Sequence, residues 1–471
     1  MNKFVELMQT EDSRTLNGAV THSTSSNACL DLFFLAGACR NEQEQSIIHK
    51  LTAAYVEDRV KCLKIIFWAG DIRQGAGERR FFKIALQWLN ITHPNEIQNY
   101  LMWIVELSRW DVLFELAHTN NIVFSFILAN LLDKESKGYG LLCKWLPRKK
   151  QYNNLASKIQ KALNITPKQY RKLIVSGTNV VEQKMCAKKW SDIIYSHVPS
   201  VALNKYNKAW YRHDKERFEK YLEEVKQGKS KINASAIFPH SIIKSAIHPG
   251  WSFNCSLNDA QTQQWYALPN YLKGVPNSII PVCDVSGSME CNNFLPISIS
   301  VALGLYISER NEGPFKDAFI TFSERPKMNY LKGSINERIQ QLSKAEWGNN
   351  TNLELVFSTI LDKAVASGLD QDDMPKTVLI ISDMEFDSCT IGTNFDTISR
   401  LYRTNGYELP QIVFWNVNGR AGNVPVKVND DGVALISGAS PSILKSVLAN
   451  QINPISVMNS TIEVDRYSFI K

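Results

Sequence analysis

At 471 residues, with 44% hydrophobic and 21% charged side chains, the chain has the length of two or three domains and a globular rather than disordered composition. No run approaches the roughly 18 apolar residues of a membrane-spanning helix, and Met1-Asn2-Lys3-Phe4 reaches Glu11 and Asp12 before any long apolar stretch, unlike a signal peptide. The net charge of +7 conceals a split: residues 1–275 hold 37 Lys and Arg against 24 Asp and Glu (+13), and residues 276–471 hold 16 against 22 (−6), a division that often separates partners too.

From residue 28 to 226 the apolar pattern is helical. Phe81, Ala85, Trp88 and Leu89 fall at i, i+4, i+7 and i+8, and Ile97, Leu101, Ile104 and Val105 repeat the spacing. Thr166 before Pro167 marks a helix start, and Asn179 followed by Glu182 has the form of a capping box. Short amphipathic helices joined by short turns cannot each bury a face alone. Residues 1–227 are therefore expected to form an α-helical, HEAT-like repeat domain, although no clean sequence repeat is visible.

Within this half, Asp71-Ile72-Arg73-Gln74-Gly75-Ala76-Gly77-Glu78-Arg79-Arg80 sets G-x-G beside arginines. No strand precedes it and no Lys-Ser/Thr pair follows, so a glycine turn between helices, with arginines paired to nearby acids, is preferred to a phosphate loop. Glu106, Arg109, Trp110 and Asp111 likewise read as a packing and ion-pair cluster. Between Lys144 and Trp190 stand twelve basic residues and a single acid, Glu182, with Tyr152, Tyr170 and Trp190 interleaved. A solvated helix face is the plain alternative, but such an imbalance repels itself, and a surface gripping phosphates and stacking bases would relieve it. The residues assigned to RNA are Lys144, Arg148, Lys149, Lys150, Lys168, Arg171, Lys172, Lys184, Lys188 and Lys189. Residues 205–226, with interspersed acids, read as a salt-bridged helix instead.

Residues 228–275, opened by Gly228-Lys229-Ser230 and punctuated by Pro239, Pro249, Gly250 and Pro269, read as an irregular connector. From 276 to 471 the pattern alternates. Apolar runs at 278–283, 317–322, 377–381 and 411–416 have the length and β-branched content of buried strands, and helical stretches near 294–309, 334–343, 352–366 and 392–403 lie between them. Such alternation specifies a doubly wound α/β domain, a mostly parallel sheet with helices on both faces. Pro281 falls inside the first strand, where a missing N–H is costly; a bulge is one way to hold it.

The first of these runs ends in Asp284-Val285-Ser286-Gly287-Ser288. Ligands of open α/β sheets bind beyond the C-terminal ends of strands. A carboxylate and two hydroxyls at alternate positions can converge there, with Gly287 easing the bend. Hard cations take such oxygens; the plain alternative is an Asx or Ser turn before a helix. Trp347-Gly348-Asn349-Asn350-Thr351-Asn352 adds a hydroxyl ahead of a helix, and Ile380-Ile381-Ser382-Asp383 ends another buried run with a carboxylate.

These three elements, in this order and spacing, resemble the metal-ion-dependent adhesion site of von Willebrand factor A domains. The resemblance implies one divalent ion held by Asp284, Ser286, Ser288, Thr351 and Asp383. Two carboxylates with three hydroxyls suit Mg2+ best, with Mn2+ or Ca2+ as alternatives. The family continues Asp-Gly after the third element, whereas this chain reads Met384-Glu385-Phe386-Asp387. Glu385 or Asp387 would add charge near the ion and weaken its pull on an outside carboxylate, or else both face solvent at a helix start. No His, Lys or Cys stands beside the motif as base or nucleophile, so the site reads as a binding site, with no enzyme activity and no small-molecule substrate.

The strings Asp71–Phe82 and Arg109–Phe114, ahead of a metal-site domain, resemble the TROVE family of the Ro ribonucleoprotein autoantigen. They are closer still to an uncharacterised family of the same layout found in plants and large viruses. TROVE proteins close a ring of helical repeats with the A domain, binding small structured RNAs on the basic outer surface and single-stranded 3′ ends in the central hole. The resemblance implies a Ro-like RNA-binding scaffold here, with a protein partner presenting an acidic residue to the metal. A protein–protein adaptor, or a virion structural protein, using the metal site without RNA is the alternative. The nine cysteines (29, 39, 62, 143, 186, 255, 283, 291 and 389) are scattered and include no C-x-x-C pair, which fits a soluble protein of the reducing cytoplasm and not a disulfide framework or zinc knuckle.

Overall fold

The apolar runs after residue 276 assemble into one sheet. The structure, a computed structural model, describes residues 12–148, 153–244, 246, 256–274, 278–322, 326–342, 351–388, 394–448 and 452–471. Strands β1 (Asp12–Arg14) and β2 (Val20–His22) form an antiparallel hairpin. Strands β3 (Ile279–Cys283), β4 (Ala318–Thr321), β5 (Met328–Tyr330), β6 (Thr377–Ser382), β7 (Gln411–Asn416) and β8 (Val433–Ser437) form a sheet in the order β5-β4-β3-β6-β7-β8. Every pairing in it is parallel except β4 with β5 at the edge. The strands β3, β4, β6 and β8 are buried at every position, the mark of a sheet covered on both faces. The expected architecture, a helical region and a doubly wound, mostly parallel α/β domain, is the one observed.

Four of these strands coincide with the expected runs; β5 and β8 were not foreseen. The edge strand β5 is only three half-exposed residues and has no pattern to read. The β8 segment, Val433-Ala434-Leu435-Ile436-Ser437 between Gly432 and Gly438, did carry the signal of a short buried run bounded by turn residues.

Pro281 needs no bulge. The Asp284 N–H donates to Ile381 O on the β6 side (3.0 Å), and the Cys283 carbonyl accepts from Phe322 on the β4 side (3.3 Å). Backbone groups alternate sides along a strand, so the Pro281 nitrogen faces β4, whose pairing with β3 begins one residue later, at Val282 with Ile320. The missing donor therefore costs at most the first rung of the β3–β4 pairing and leaves the register with β6 intact. The segment Gly287–Arg310 has the length and hydropathy of a membrane span, yet 72% of its apolar window is buried in the protein, as in a core helix.

The chain divides into two compact units, one drawn from residues 1–69, 74–81 and 237–471, the other from 70–73 and 82–236. These do not follow the expected boundaries of a helical domain at 1–227, a connector at 228–275 and an α/β domain at 276–471. The reason lies in what covers the sheet. Helix Ala28–Ala36 is buried from Cys29 onward and lies on β8. There Ser437 Oγ donates to Phe33 O (2.8 Å) and accepts from Gly37 N–H (3.0 Å), and Asn416 Nδ2 donates to Phe34 O (3.2 Å). A Cβ at Gly37 would stand 2.6 Å from the Gly438 nitrogen, so only glycine fits that approach. The described part of the expected connector contains helices Pro239–Ile243 and Asp259–Tyr266. Trp265 is tied to helix Cys291–Arg310, its indole donating to Glu309 (2.6 Å) and its carbonyl accepting from Arg310 (2.8 Å). Pro249 and Gly250 lie outside the described residues.

The second unit is a run of helices that pack on near neighbours in sequence, including Pro94–Leu107, Asn121–Leu132, Tyr139–Trp145, Asn153–Leu163, Pro167–Gly177 and Lys215–Lys226. Ile97, Leu101 and Ile104 are buried as their spacing requires, while Val105 is half-buried. Thr166 caps its helix in a full capping box with Gln169. Asn179 and Glu182 do not form one. The next helix starts at Val181 with Val180 as its N-cap residue, so Glu182 falls one position short of a capping box, and its carboxylate is engaged by Lys144 (3.0 Å) and Tyr206 (3.3 Å). Arg109 pairs with Asp111 (2.9 Å) and lies 3.6 Å over the Trp145 ring, and Trp110 stacks on Phe126, the anticipated packing cluster except for Glu106, which is exposed. The G-x-G string is a turn between helices Arg59–Gly70 and Arg79–Thr92, with Gly77 at φ +68. Its acids and arginines are engaged structurally: Glu78 pairs with Arg40, and Arg80 donates to Cys39 O (2.9 Å).

Candidate metal centre and basic helix face

Adjacent parallel strands β3 and β6 end side by side, which sets Asp284 and Asp383 at neighbouring C-terminal strand ends. Asp284 is fully buried. Its Oδ1 accepts from Ser286 N–H (2.9 Å) and its Oδ2 from Ser382 Oγ (2.5 Å). The Ser286 and Ser288 hydroxyls are 3.1 Å apart, and Ser288 also hydrogen-bonds Asp383. Asp383 Oδ1 accepts from Glu385 N–H (3.2 Å). Thr351, fully buried, has its Oγ 2.9 Å from both Glu385 O and Asp387 Oδ1, and its N–H donates to Asp387 Oδ2 (3.0 Å). The three expected loops thus meet, through Ser288 and Asp383 on one side and Thr351 and Asp387 on the other. Trp347 to Asn350 lie outside the described residues.

Burial raises Asp284, and the charge of Asp387 adds to it. Burial, then the charge of Asp284, pushes Asp383 up to about 7. Among the described residues no Lys or Arg forms an ion pair with either carboxylate. Buried charges are normally paired or bound to metal. The two carboxylates and the Ser286, Ser288 and Thr351 hydroxyls offer only oxygen donors, the kind a hard cation takes. Among the described residues no three His, Cys, Asp or Glu gather as a metal-holding group.

Of the two departures from the family pattern, Glu385 is buried and Asp387 half-buried. Glu385 is 4% exposed and pairs with Arg420 (2.9 Å), which offsets its charge. Asp387 is spent on Thr351, orienting that side chain from both its amide and its hydroxyl.

Sequence reading missed the hairpin β1–β2, whose turn lies against this loop. Thr15 Oγ donates to Phe386 O (2.6 Å), Leu16 N–H to Glu385 Oε2 (2.5 Å), and Asn17 Nδ2 to both Thr351 Oγ (3.0 Å) and Glu385 O (2.8 Å). Further along, His22 and Val424 exchange backbone hydrogen bonds (3.0 and 2.9 Å). The signal was the dipeptide Asn17-Gly18, a strong hairpin mark, with Gly18 at φ +88.

In the second unit, helix Pro167–Gly177 buries Tyr170 and Ile174 and turns Lys168, Arg171 and Lys172 outward. Lys188 and Lys189 are exposed in the turn after helix Val181–Cys186. Other expected contacts are engaged within the fold. Lys144 pairs with Glu182, Arg148 donates to Thr178 (3.2 Å) and Lys184 donates to Asp192 O (2.9 Å). Lys149, Lys150 and Tyr152 lie outside the described residues. Tyr170 cannot stack a base: it is 2% exposed and its hydroxyl donates to Pro147 O (3.2 Å). Trp190 is half-buried and already stacked on His213, with centroids 4.9 Å apart.

Comparison with known proteins places both parts. Residues 15–118 and 124–273 match the model of a domain of unknown function, DUF2828, which covers more than half of the chain. The chain belongs to this family. Residues 278–465 match a second domain of unknown function, DUF7788. An uncharacterised protein, L728, of Acanthamoeba polyphaga mimivirus is 28% identical over 508 aligned positions, spanning 96% of this chain and 87% of that protein. A viral relative without known function agrees with the resemblance to a viral family of this layout. The crystal structure of the RO (RSR) protein of Deinococcus radiodurans aligns over 88% of this chain and 91% of its own, at 11% identity and a TM-score of 0.38. A likeness that faint fixes neither fold nor function.

Proposed function

We propose that this member of the DUF2828 family is an RNA-binding scaffold of the Ro type, in which a basic helix face holds RNA and a divalent ion in the α/β unit docks an acidic group of a protein partner. The RNA assignment is carried by one observation: Lys168, Arg171 and Lys172 share the exposed face of helix Pro167–Gly177, and none has an ion-pair partner among the described residues. A cationic stripe with no acid to offset it is what a phosphate backbone neutralises. The resemblance to TROVE proteins favours the same reading. Structured and single-stranded RNA are both candidate ligands, and filter binding from 50 to 200 mM salt tests them. The variant K168E/R171E/K172E should lose at least about tenfold in affinity and show a shallower salt dependence, each lost phosphate contact removing about 0.7–0.9 from the slope. Binding unchanged in this variant and in K188E/K189E would remove the helix face from the model.

The metal half rests on Asp284 and Asp383, buried side by side with no ion-pair partner among the described residues, beside the Ser286, Ser288 and Thr351 hydroxyls. These five residues would hold Mg2+, or Mn2+ or Ca2+ in its place. Such an ion supplies an electrophilic site for an outside carboxylate, and Arg420 keeps Glu385 from offsetting it. We assign no catalytic step to these residues. The seven described cysteines are all free, which suits the reducing cytoplasm. The adaptor reading keeps the metal and discards the RNA. It predicts an absorbance ratio at 260 and 280 nm typical of pure protein, and partner recovery that is abolished by Asp284→Ala.

A further inference from the structure

We propose that the hairpin turn Thr15–Gly18 is a fourth loop of the cation site, with Asn17 as the positioning residue for Thr351, so that hairpin docking and cation binding are coupled. This rests on the cation site proposed above.

The Thr351 hydroxyl has one proton and two lone pairs. Glu385 O and Asp387 Oδ1, each 2.9 Å away, compete for the proton, and Asn17 Nδ2 at 3.0 Å takes one lone pair. One lone pair is left, and a cation needs one. Asn17 is held in turn by its second bond, to Glu385 O at 2.8 Å, so its amide fixes the direction in which the free lone pair points.

Docking of the tip is almost wholly polar. Two three-residue strands are marginal as a hairpin on their own, and Leu16 at the tip is 75% exposed. What holds the tip is the bonding of Thr15, Leu16 and Asn17 to residues 385–386, together with Arg420, which donates to Arg14 O (2.6 Å) while pairing with Glu385. That stretch immediately follows the ligand Asp383. A cation that fixes Asp383 and Thr351 fixes the hairpin's acceptors, and a docked hairpin fixes Thr351. Linkage makes the two effects reciprocal.

The test uses the full chain. Free Mn2+ is followed by electron paramagnetic resonance in a titration of wild type, Asn17→Ala and Asp284→Ala, and hydrogen exchange of peptides covering residues 12–22 is measured in Mg2+ and in EDTA. Wild type should bind Mn2+, Asp284→Ala should not, and Asn17→Ala should bind about fivefold more weakly or worse. Mg2+ should slow exchange at residues 15–22 in wild type and much less in Asn17→Ala. Equal Mn2+ affinity in wild type and Asn17→Ala, or hairpin exchange that Mg2+ leaves unchanged while Mn2+ binds, overturns this inference and spares the cation site. No Mn2+ bound by wild type overturns both. A purely structural role for Asn17 would speed exchange equally in Mg2+ and EDTA, and that outcome also overturns it.

Discussion

At the scale of single residues, Asp284 and Asp383 oppose folding unless something neutralises them. Each is buried beside the other, so in the absence of a cation their repulsion and desolvation act on the native state alone. Asp383→Asn should therefore raise the unfolding midpoint in EDTA by a few degrees and abolish the further rise that Mg2+ gives wild type, which grows as RT ln(1 + [Mg2+]/Kd). Scanning fluorimetry in both buffers reads this; a lower midpoint for Asp383→Asn in EDTA would mean that the carboxylate serves the fold directly. Arg420→Ala leaves the buried Glu385 carboxylate with the Leu16 N–H as its one remaining donor among the described residues, at a cost of about 1–3 kcal/mol, most of which Glu385→Gln should restore in the double variant. The five proposed ligands come from the resemblance to the A-domain motif, and what the structure adds is that the three loops carrying them meet. The partner of Glu385 was not legible, since Arg420 lies 35 positions away and nothing local marks the pair. His240 is of the same hidden kind. Its Nδ1 is buried without a hydrogen bond, and burial, with Arg40 and Lys244 nearby, pushes it down to about 3. Below pH 6.5 the unfolded chain protonates this histidine and the folded one does not, so stability falls as pH drops toward 3, by up to about 1.4 kcal/mol per unit. Urea midpoints across that range should fall less steeply in His240→Gln.

Elements were legible where one periodicity or one cap decides them. Thr166, Pro167 and Gln169 specify a helix start by themselves, and the structure shows both bonds of the capping box. Thr166→Ala should cost about 1 kcal/mol in denaturant unfolding, and Asn179→Ala, whose residue caps nothing, should cost markedly less. The contrast is physical. The helix after Asn179 takes Val180 as its N-cap residue, and Glu182 is engaged by Lys144, 38 residues away, of which a local pattern has no view. Pro281 shows the opposite case, in which the letter alone argued against a central strand and the register removes the objection. Since its nitrogen faces the side where pairing with β4 has yet to begin, Pro281→Ala should leave the sheet nearly unchanged, with a midpoint shift within about 0.5 kcal/mol.

At the scale of the molecule, composition marked two halves but not which residues fold together. The charge boundary near residue 275 and the onset of strand–helix alternation invite a cut there, where the two family matches also meet, while the compact units group residues 1–69 with the α/β part. Helix Ala28–Ala36 is buried from Cys29 to Ala36, and both Ser437 and Asn416 of the sheet spend hydrogen bonds on its carbonyls. It reads locally as one more apolar helix of a helical domain, because nothing in its spacing names the surface it covers. A fragment beginning at residue 276 would uncover β8 and lose the burial of Leu30, Leu32, Phe33, Phe34 and Leu35, each among the least exposed side chains of the protein. Part of that burial is against helix Glu44–Glu57 and Trp68, but at about 1.5–3 kcal/mol per fully buried side chain the share against the sheet is still a large fraction of a typical domain's net stability, about 5–15 kcal/mol. Fragment 276–471 should therefore be insoluble or lack near-ultraviolet circular dichroism. Fragment 82–236, whose residues lie in the other unit, should show cooperative helical unfolding. A well-packed 276–471 fragment would mean that the N-terminal helix covers the sheet without supporting it.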